Sequence, residues 1–141
     1  MKTVKTVFVD TGYWIALISP DDDMHDRAIQ ITDKILSANF VTTELILTEL
    51  LNAFSRRGEN LRQAAVDLID SLLEDKMVEV IPQTTELFKN ALELYSQRPD
   101  QAWSHTDCAS FCLMQERNIL EALAYDRHFE QAGFVALLRN F

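Results

Sequence analysis

Four acidic residues are set where an α/β chain builds sites. The run Thr-Val-Phe-Val closes on Asp10 and the run Glu-Ala-Leu-Ala-Tyr closes on Asp126, each followed at once by a helix-like segment. Glu49 and Asp107 fall on two intervening segments with helical periodicity. In an open α/β sheet the strand ends that feed helices share one rim, and ligands bind in the crevice outside it. Carboxylates brought there from both ends of a chain form an oxygen-only donor set. Such sets suit hard cations such as Mg2+ or Mn2+, which keep several waters and bind phosphate-bearing substrates. An ion of this kind generates a hydroxide nucleophile and neutralises charge building on a phosphodiester oxygen.

Each acid also has a plainer use. Asp10 and Asp126 suit helix N-caps, and Asp107 is favourable charge in a helix first turn. Glu49 lies at the edge of the apolar face made by Ile46, Leu47, Leu50, Leu51, Ala53 and Phe54, where a carboxylate must be paired, hydrogen-bonded or metal-bound. Its plainer partner there is Arg56. His25, His105 and His128 are scattered without zinc spacing, and Cys108 and Cys112 read as buried free thiols on one helix face. The chain has no P-loop, GxGxxG turn or GxSxG elbow, and the triplet Asp10-Thr11-Gly12 is not the Asp-x-Asp of a phospho-aspartate phosphatase.

The elements that must position these groups follow from periodicity and punctuation. A buried strand is expected over residues 5–10, a helix from Thr11 to about Leu17, and a second helix from about His25 to Ser37 after Pro20 and the acidic run Asp21–Asp23. A short strand at Asn39–Thr42 leads to an amphipathic helix over Glu44–Arg57, closed by Gly58. Leu61–Asp75 is helical, Met77–Ile81 a strand stopped by Pro82, and Thr84 or Thr85 caps a helix through Ser96. After a loop at Arg98–Trp103, Ser104 opens a helix to about Asn118, with Ser104 and Asp107 in capping-box spacing. A strand at Ala122–Tyr125, a short helix at Arg127–Ala132 and a last strand at Phe134–Leu138 complete the chain. Strands alternating with helices imply a mostly parallel sheet covered on both faces, a three-layer α/β/α arrangement.

The 141 residues are expected to form one domain, 48% hydrophobic and 25% charged. No stretch reaches the ~20 apolar residues of a membrane helix, and the N-terminal stretch breaks at a charge too early for a signal peptide. The thiols and composition point to the cytoplasm. A net charge of −9 argues against an electrostatically driven nucleic-acid coat protein but not against a nuclease, whose bound metal reverses the local sign.

VFVDTGYWIAL at 7–17, the glutamate of LTELLNAF at 47–54, SHTDCASF at 104–111 and ALAYDRHFEQAGF at 122–134 together resemble the PIN-domain family, most of all the toxin ribonucleases of bacterial toxin–antitoxin pairs. The resemblance spans nearly the whole chain. It implies a PIN fold and an Mg2+- or Mn2+-dependent endoribonuclease. Asp10, Glu49, Asp107 and Asp126 take the four acidic catalytic positions, with Asp10, Asp107 and Asp126 holding the metal and Glu49 orienting or deprotonating the attacking water. Thr11 and Thr106 match hydroxyl positions beside the first and third acids. With Arg127 they form the expected substrate contacts, and Arg56, Arg57 and Arg117 are further candidates for phosphate. His25, in the D-x-x-H-x-x-A pattern from Asp22 to Ala28, is read as structural. His128 departs from the family pattern, where many relatives carry another aspartate, and His105 before the third acid is placed to touch substrate. The implied partners are RNA, an antitoxin and a second copy of the chain in a homodimer, with no membrane. The alternatives are a PIN nuclease of RNA processing without an antitoxin, or a non-catalytic PIN module that binds RNA or protein.

Overall fold

A computed structural model describes residues 4–139. The first strand, β1 (Thr6–Val9), runs into helix α1 (Thr11–Ile18), followed by α2 (His25–Lys34), β2 (Asn39–Thr43), α3 (Glu44–Phe54) and α4 (Glu59–Glu74). Then come β3 (Val78–Ile81), α5 (Thr85–Gln97), α6 (His105–Glu116), β4 (Glu121–Leu123), α7 (Arg127–Gln131) and β5 (Val135–Ala136). The five strands form one sheet in the order β3-β2-β1-β4-β5. Every pairing is parallel, so the sheet is fully rather than mostly parallel.

The order explains β1. As the central strand it is covered on both faces, and Val7, Phe8 and Val9 are each fully buried, as continuous apolar runs in parallel sheets are. From β1 the chain builds outward to β2 and β3, then returns to place β4 on the other side. The gap between the ends of β1 and β4 is therefore the point where strand order reverses, the usual place for a ligand crevice. Asp10 and Asp126 follow those two strands. Beyond the ladder, the Asp10 N–H still bonds the Leu123 carbonyl at 3.2 Å, fixing one aspartate's backbone against the strand that carries the other.

An aromatic cluster under this rim holds α6 and α7 in place. Phe111 of α6 meets Phe129 of α7 edge-on at 5.0 Å and Trp103 at 5.1 Å, and Phe129 reaches Phe8 of β1 at 6.4 Å between ring centroids. Edge-to-face contacts of this kind add stability beyond the area they bury. Ser104 accepts the Asp107 N–H while the Asp107 carboxylate accepts the Ser104 N–H, so the capping box expected from the sequence forms.

Several boundaries differ from expectation. The helix begun at Glu44 stops at Phe54 rather than Arg57, because Ser55 Oγ–H turns back to the Asn52 carbonyl and the chain tightens into a turn. Gly58, at φ +95°, serves as the N-cap of α4 instead of closing α3 directly. The helix from His25 ends at Lys34, not Ser37, and the last strand shrinks from Phe134–Leu138 to Val135–Ala136, since its partner β4 has only three residues to pair with. Among the described residues no helix is long and apolar enough to cross a membrane.

Candidate active site

Asp10 occupies the N-cap position of α1, yet its carboxylate makes no capping hydrogen bond. The capping use that the sequence allowed is thus not what holds this side chain. Burial pushes its pKa up to about 7, the Thr11 N–H opposes the rise, and the charges of Asp107, Glu49 and Asp126 add to it. All four sequence-selected acids therefore lie within electrostatic reach of one another, brought by the ends of β1 and β4 and by α3 and α6. Among the described residues no lysine or arginine pairs with any of them.

Their present partners are local. Thr11 Oγ1 donates to Glu49 Oε1 at 2.5 Å, bridging 38 residues of sequence. The ion pair between Glu49 and Arg56 does not form among the described residues; a hydroxyl beside Asp10 takes its place. Asp107 Oδ2 accepts the Ser104 N–H at 3.0 Å, and Asp126 Oδ1 caps α7 by accepting the His128 N–H at 2.9 Å. So for Asp107 and Asp126 the capping roles are real. The His128 imidazole lies between them, with Nδ1 3.1 Å from Asp107 Oδ2 and 3.3 Å from Asp126 Oδ1. The one sequence departure near the fourth acid thus sits inside the cluster.

Whether these residues suit a divalent ion rests on their chemistry and charge. The donors are hard carboxylate oxygens, mutually repelling, one of them holding its proton to near neutrality, with no lysine or arginine paired to them among the described residues. That is the charge deficit a divalent cation fills. As placed, no group of three or more His, Cys, Asp or Glu side chains among the described residues is arranged to hold an ion. Their oxygens are turned instead to Thr11, Ser104 and His128.

The remaining candidates divide. Arg127 lines an open groove with Asp10, Gly12 and Asp126. Thr106 is half-buried next to Asp107, its carbonyl accepting the Ser110 hydroxyl. Arg117 is not at the site: its guanidinium is bidentate to Glu79 at 2.8 and 3.0 Å, and it lies by Thr6 and Asn39, where β1 and β2 begin. Arg57 donates to Ser19 Oγ and stacks on Phe54. Arg56 lines a separate groove between α3 and α4. His25 Nδ1 bonds the Ala16 carbonyl at 2.6 Å and ties α2 to α1, the structural role expected of it. His105 bonds the Phe88 carbonyl at 3.0 Å and packs on the Phe88 ring, an α5–α6 contact. Cys108 and Cys112 are free thiols.

Several groove residues escaped sequence reasoning, Asp22, Met24 and Leu138 among them. Tyr125 and Arg139 line the crevice with Asp10 and Asp126. Tyr125 carried a signal, being the aromatic that ends an apolar run directly before an acid. Arg139 carried none, because only the fold returns it to this rim.

Known proteins share this sequence pattern and fold. The sequence matches the PIN domain over residues 7–135. It is similar to the 23S rRNA-specific endonuclease VapC20 of two Mycobacterium tuberculosis strains, 29% identical over 133 residues, covering 92% of this chain and 95% of that protein. The crystal structure of Mycobacterium tuberculosis VapC20, described as a sarcin–ricin loop cleaving toxin, superposes with a TM-score of 0.83 at 29% identity, covering 92% of this chain and 97% of the other. By the extent of the family match, the chain belongs to the PIN-domain family.

Proposed function

We propose that this chain is a single-domain, divalent-metal-dependent endoribonuclease of residues 1–141, the toxin of a toxin–antitoxin pair, acting in the cytoplasm as a homodimer. The observation that carries the reading is Asp10: a carboxylate at the strand-order reversal that caps nothing, faces three other acids, and has its pKa raised to about 7. A structural carboxylate at a rim is ordinarily paired or capping. The similarity to a 23S rRNA-specific endonuclease supplies the substrate class, with large-subunit ribosomal RNA as the first RNA to test.

Asp10, Asp107 and Asp126 would hold the ion, Mg2+ or Mn2+. When bound, it supplies a polarised water and charge neutralisation at the phosphodiester. Glu49, oriented by the Thr11 hydroxyl, accepts the proton of the attacking water. Arg127 meets a phosphate of the bound strand, and Thr106 a neighbouring backbone oxygen. An antitoxin segment that blocks such a groove must answer its acids with Arg or Lys.

The test is cleavage of ribosomal RNA by the purified chain, freed of any antitoxin, with Mg2+ or Mn2+. Chelation by EDTA should stop the reaction, and returning the ion should restore it. Activity that survives chelation, or that requires zinc, overturns the proposal.

A further inference from the structure

Leu123 and Ala124 at the end of β4 are completely buried, but the next residue, Tyr125, is 44% exposed. Its ring is not left loose. Arg139, 14 residues on, lays its guanidinium over it, with the central carbon 5.2 Å from the ring centroid. That guanidinium is anchored twice: Nε forms an ion pair with Glu130 Oε1 at 2.7 Å, and a terminal N–H donates to the Tyr125 carbonyl at 3.3 Å. The backbone below is tied as well, through Leu138 N–H to the Ala124 carbonyl at 3.2 Å. The result is a guanidinium-over-ring pair at the wall of the groove that holds Asp10 and Asp126.

The two arginines of this groove differ in a way that separates their uses. Arg139 is already neutralised by Glu130, so what it adds to the groove is a fixed flat surface more than a free charge. Arg127 is exposed, and among the described residues it has no ion pair or hydrogen bond, so its charge is available. A flat aromatic–guanidinium surface takes the π-face of a base, and a free guanidinium takes a phosphate. A base can lie on such a surface only when it is out of a helix, as in loops and bulges.

We propose that Tyr125 and Arg139 form a stacking subsite for one unpaired nucleobase next to the scissile phosphate, with Arg127 on the adjoining phosphate. This rests on the endoribonuclease reading above. The subsite selects an extruded base by its flatness rather than by its edge, so it favours loop structure over any one base.

The experiment uses a ribosomal RNA stem-loop carrying 2-aminopurine at successive positions about the cleavage point, bound to the full-length Asp10→Asn chain. Quenching at a single position flanking that point is expected. Tyr125→Ala, added to this chain, should abolish the quench; in the active parent it should raise KM about tenfold with kcat changed far less. Tyr125→Phe should behave as the parent, because the ring and not the hydroxyl does the stacking. Arg139→Ala should weaken the quench partway. Equal KM and quench for parent and Tyr125→Ala overturn the subsite, as does a Phe variant as poor as Ala. If Tyr125→Ala does not fold, the quench pattern on the Tyr125-containing chain alone decides, and no single-position quench overturns it. A Tyr125→Ala chain that cleaves as the parent but loses its antitoxin would assign the surface to a protein partner, against the proposal. A parent that neither binds nor cleaves the RNA sinks the endoribonuclease reading itself, a distinct outcome.

Discussion

The two ends of the sheet treat charge in opposite ways. At the rim where the strands begin, carboxylates have cations: Lys5 meets Glu121 at 2.6 Å, and Arg117 grips Glu79 with two parallel bonds. The Arg117 hydrogen bonds hold the Glu79 carboxyl below its ordinary pKa. At the rim where the strands end, four acids gather without a lysine or arginine among the described partners, and Asp10 is pushed to about 7. Folding stability alone accounts for the first rim. At the second, burial and neighbouring acids work against the charged form of Asp10, the pattern found where groups are set for binding or chemistry.

The sharpest way to break this contrast is Asp10→Asn. Cleavage of ribosomal RNA should fall by at least about a thousandfold, measured as single-turnover rate with saturating Mn2+, because an amide gives the ion a weaker, neutral donor. A variant cleaving within tenfold of the parent would remove Asp10 from the site.

The same substitution should raise the stability of the metal-free chain. Since the folded pKa of Asp10 lies above its unfolded value, the folded state binds more protons between about pH 4 and pH 7, and the contribution of this group declines as pH rises through that window. The full shift corresponds to an upper limit of roughly 4 kcal/mol above pH 7, of which partial exposure leaves about 1–2 kcal/mol. Urea melts of parent and Asp10→Asn at pH 5 and pH 8 read this directly: the parent should lose stability relative to the variant at the higher pH. Mg2+ or Mn2+ should recover it for the parent and much less for the variant. Parallel pH profiles for the two chains would mean that Asp10 is not under strain.

Next in size is His128→Ala. It withdraws the imidazole set between Asp107 and Asp126, and should lower the metal-free melting temperature by about 3 °C, corresponding to about 1 kcal/mol. An unchanged melting temperature would show that the contact is idle. The smallest effect belongs to the opposite rim. Arg117→Ala breaks an exposed pair, and should cost about 0.5 kcal/mol with cleavage unchanged. If it slowed cleavage instead, the division between the two rims would be wrong.

What could be read from the sequence follows from how local each signal is. The ends of β1 and β4 were legible because each apolar run is punctuated by its own aspartate, and Ser104 with Asp107 announced a capping box within four residues. Partnerships were not legible. Glu49 takes a hydroxyl from Thr11 and Arg117 takes Glu79, each across 38 residues, where helical spacing suggested Arg56 for the first and the nuclease reading made the second a candidate for phosphate. Helix ends slipped for a related reason: the stop at Phe54 depends on one serine's bond to its own turn, which composition does not weigh. The Tyr125–Arg139 stack, made only once β5 has docked, left half of itself invisible.

The strand order has a consequence for how the molecule is born. β1 is followed by its neighbour β2 after about thirty residues, but its other neighbour, β4, is made more than a hundred residues later. At ordinary rates of synthesis that delay is on the order of ten seconds. Through all of it one flank of the central strand has no partner, and Asp10 has neither Asp107 nor Asp126 beside it. The four-acid rim therefore comes together only after residue 126 has been added and parallel pairing, slow by nature, has closed the gap.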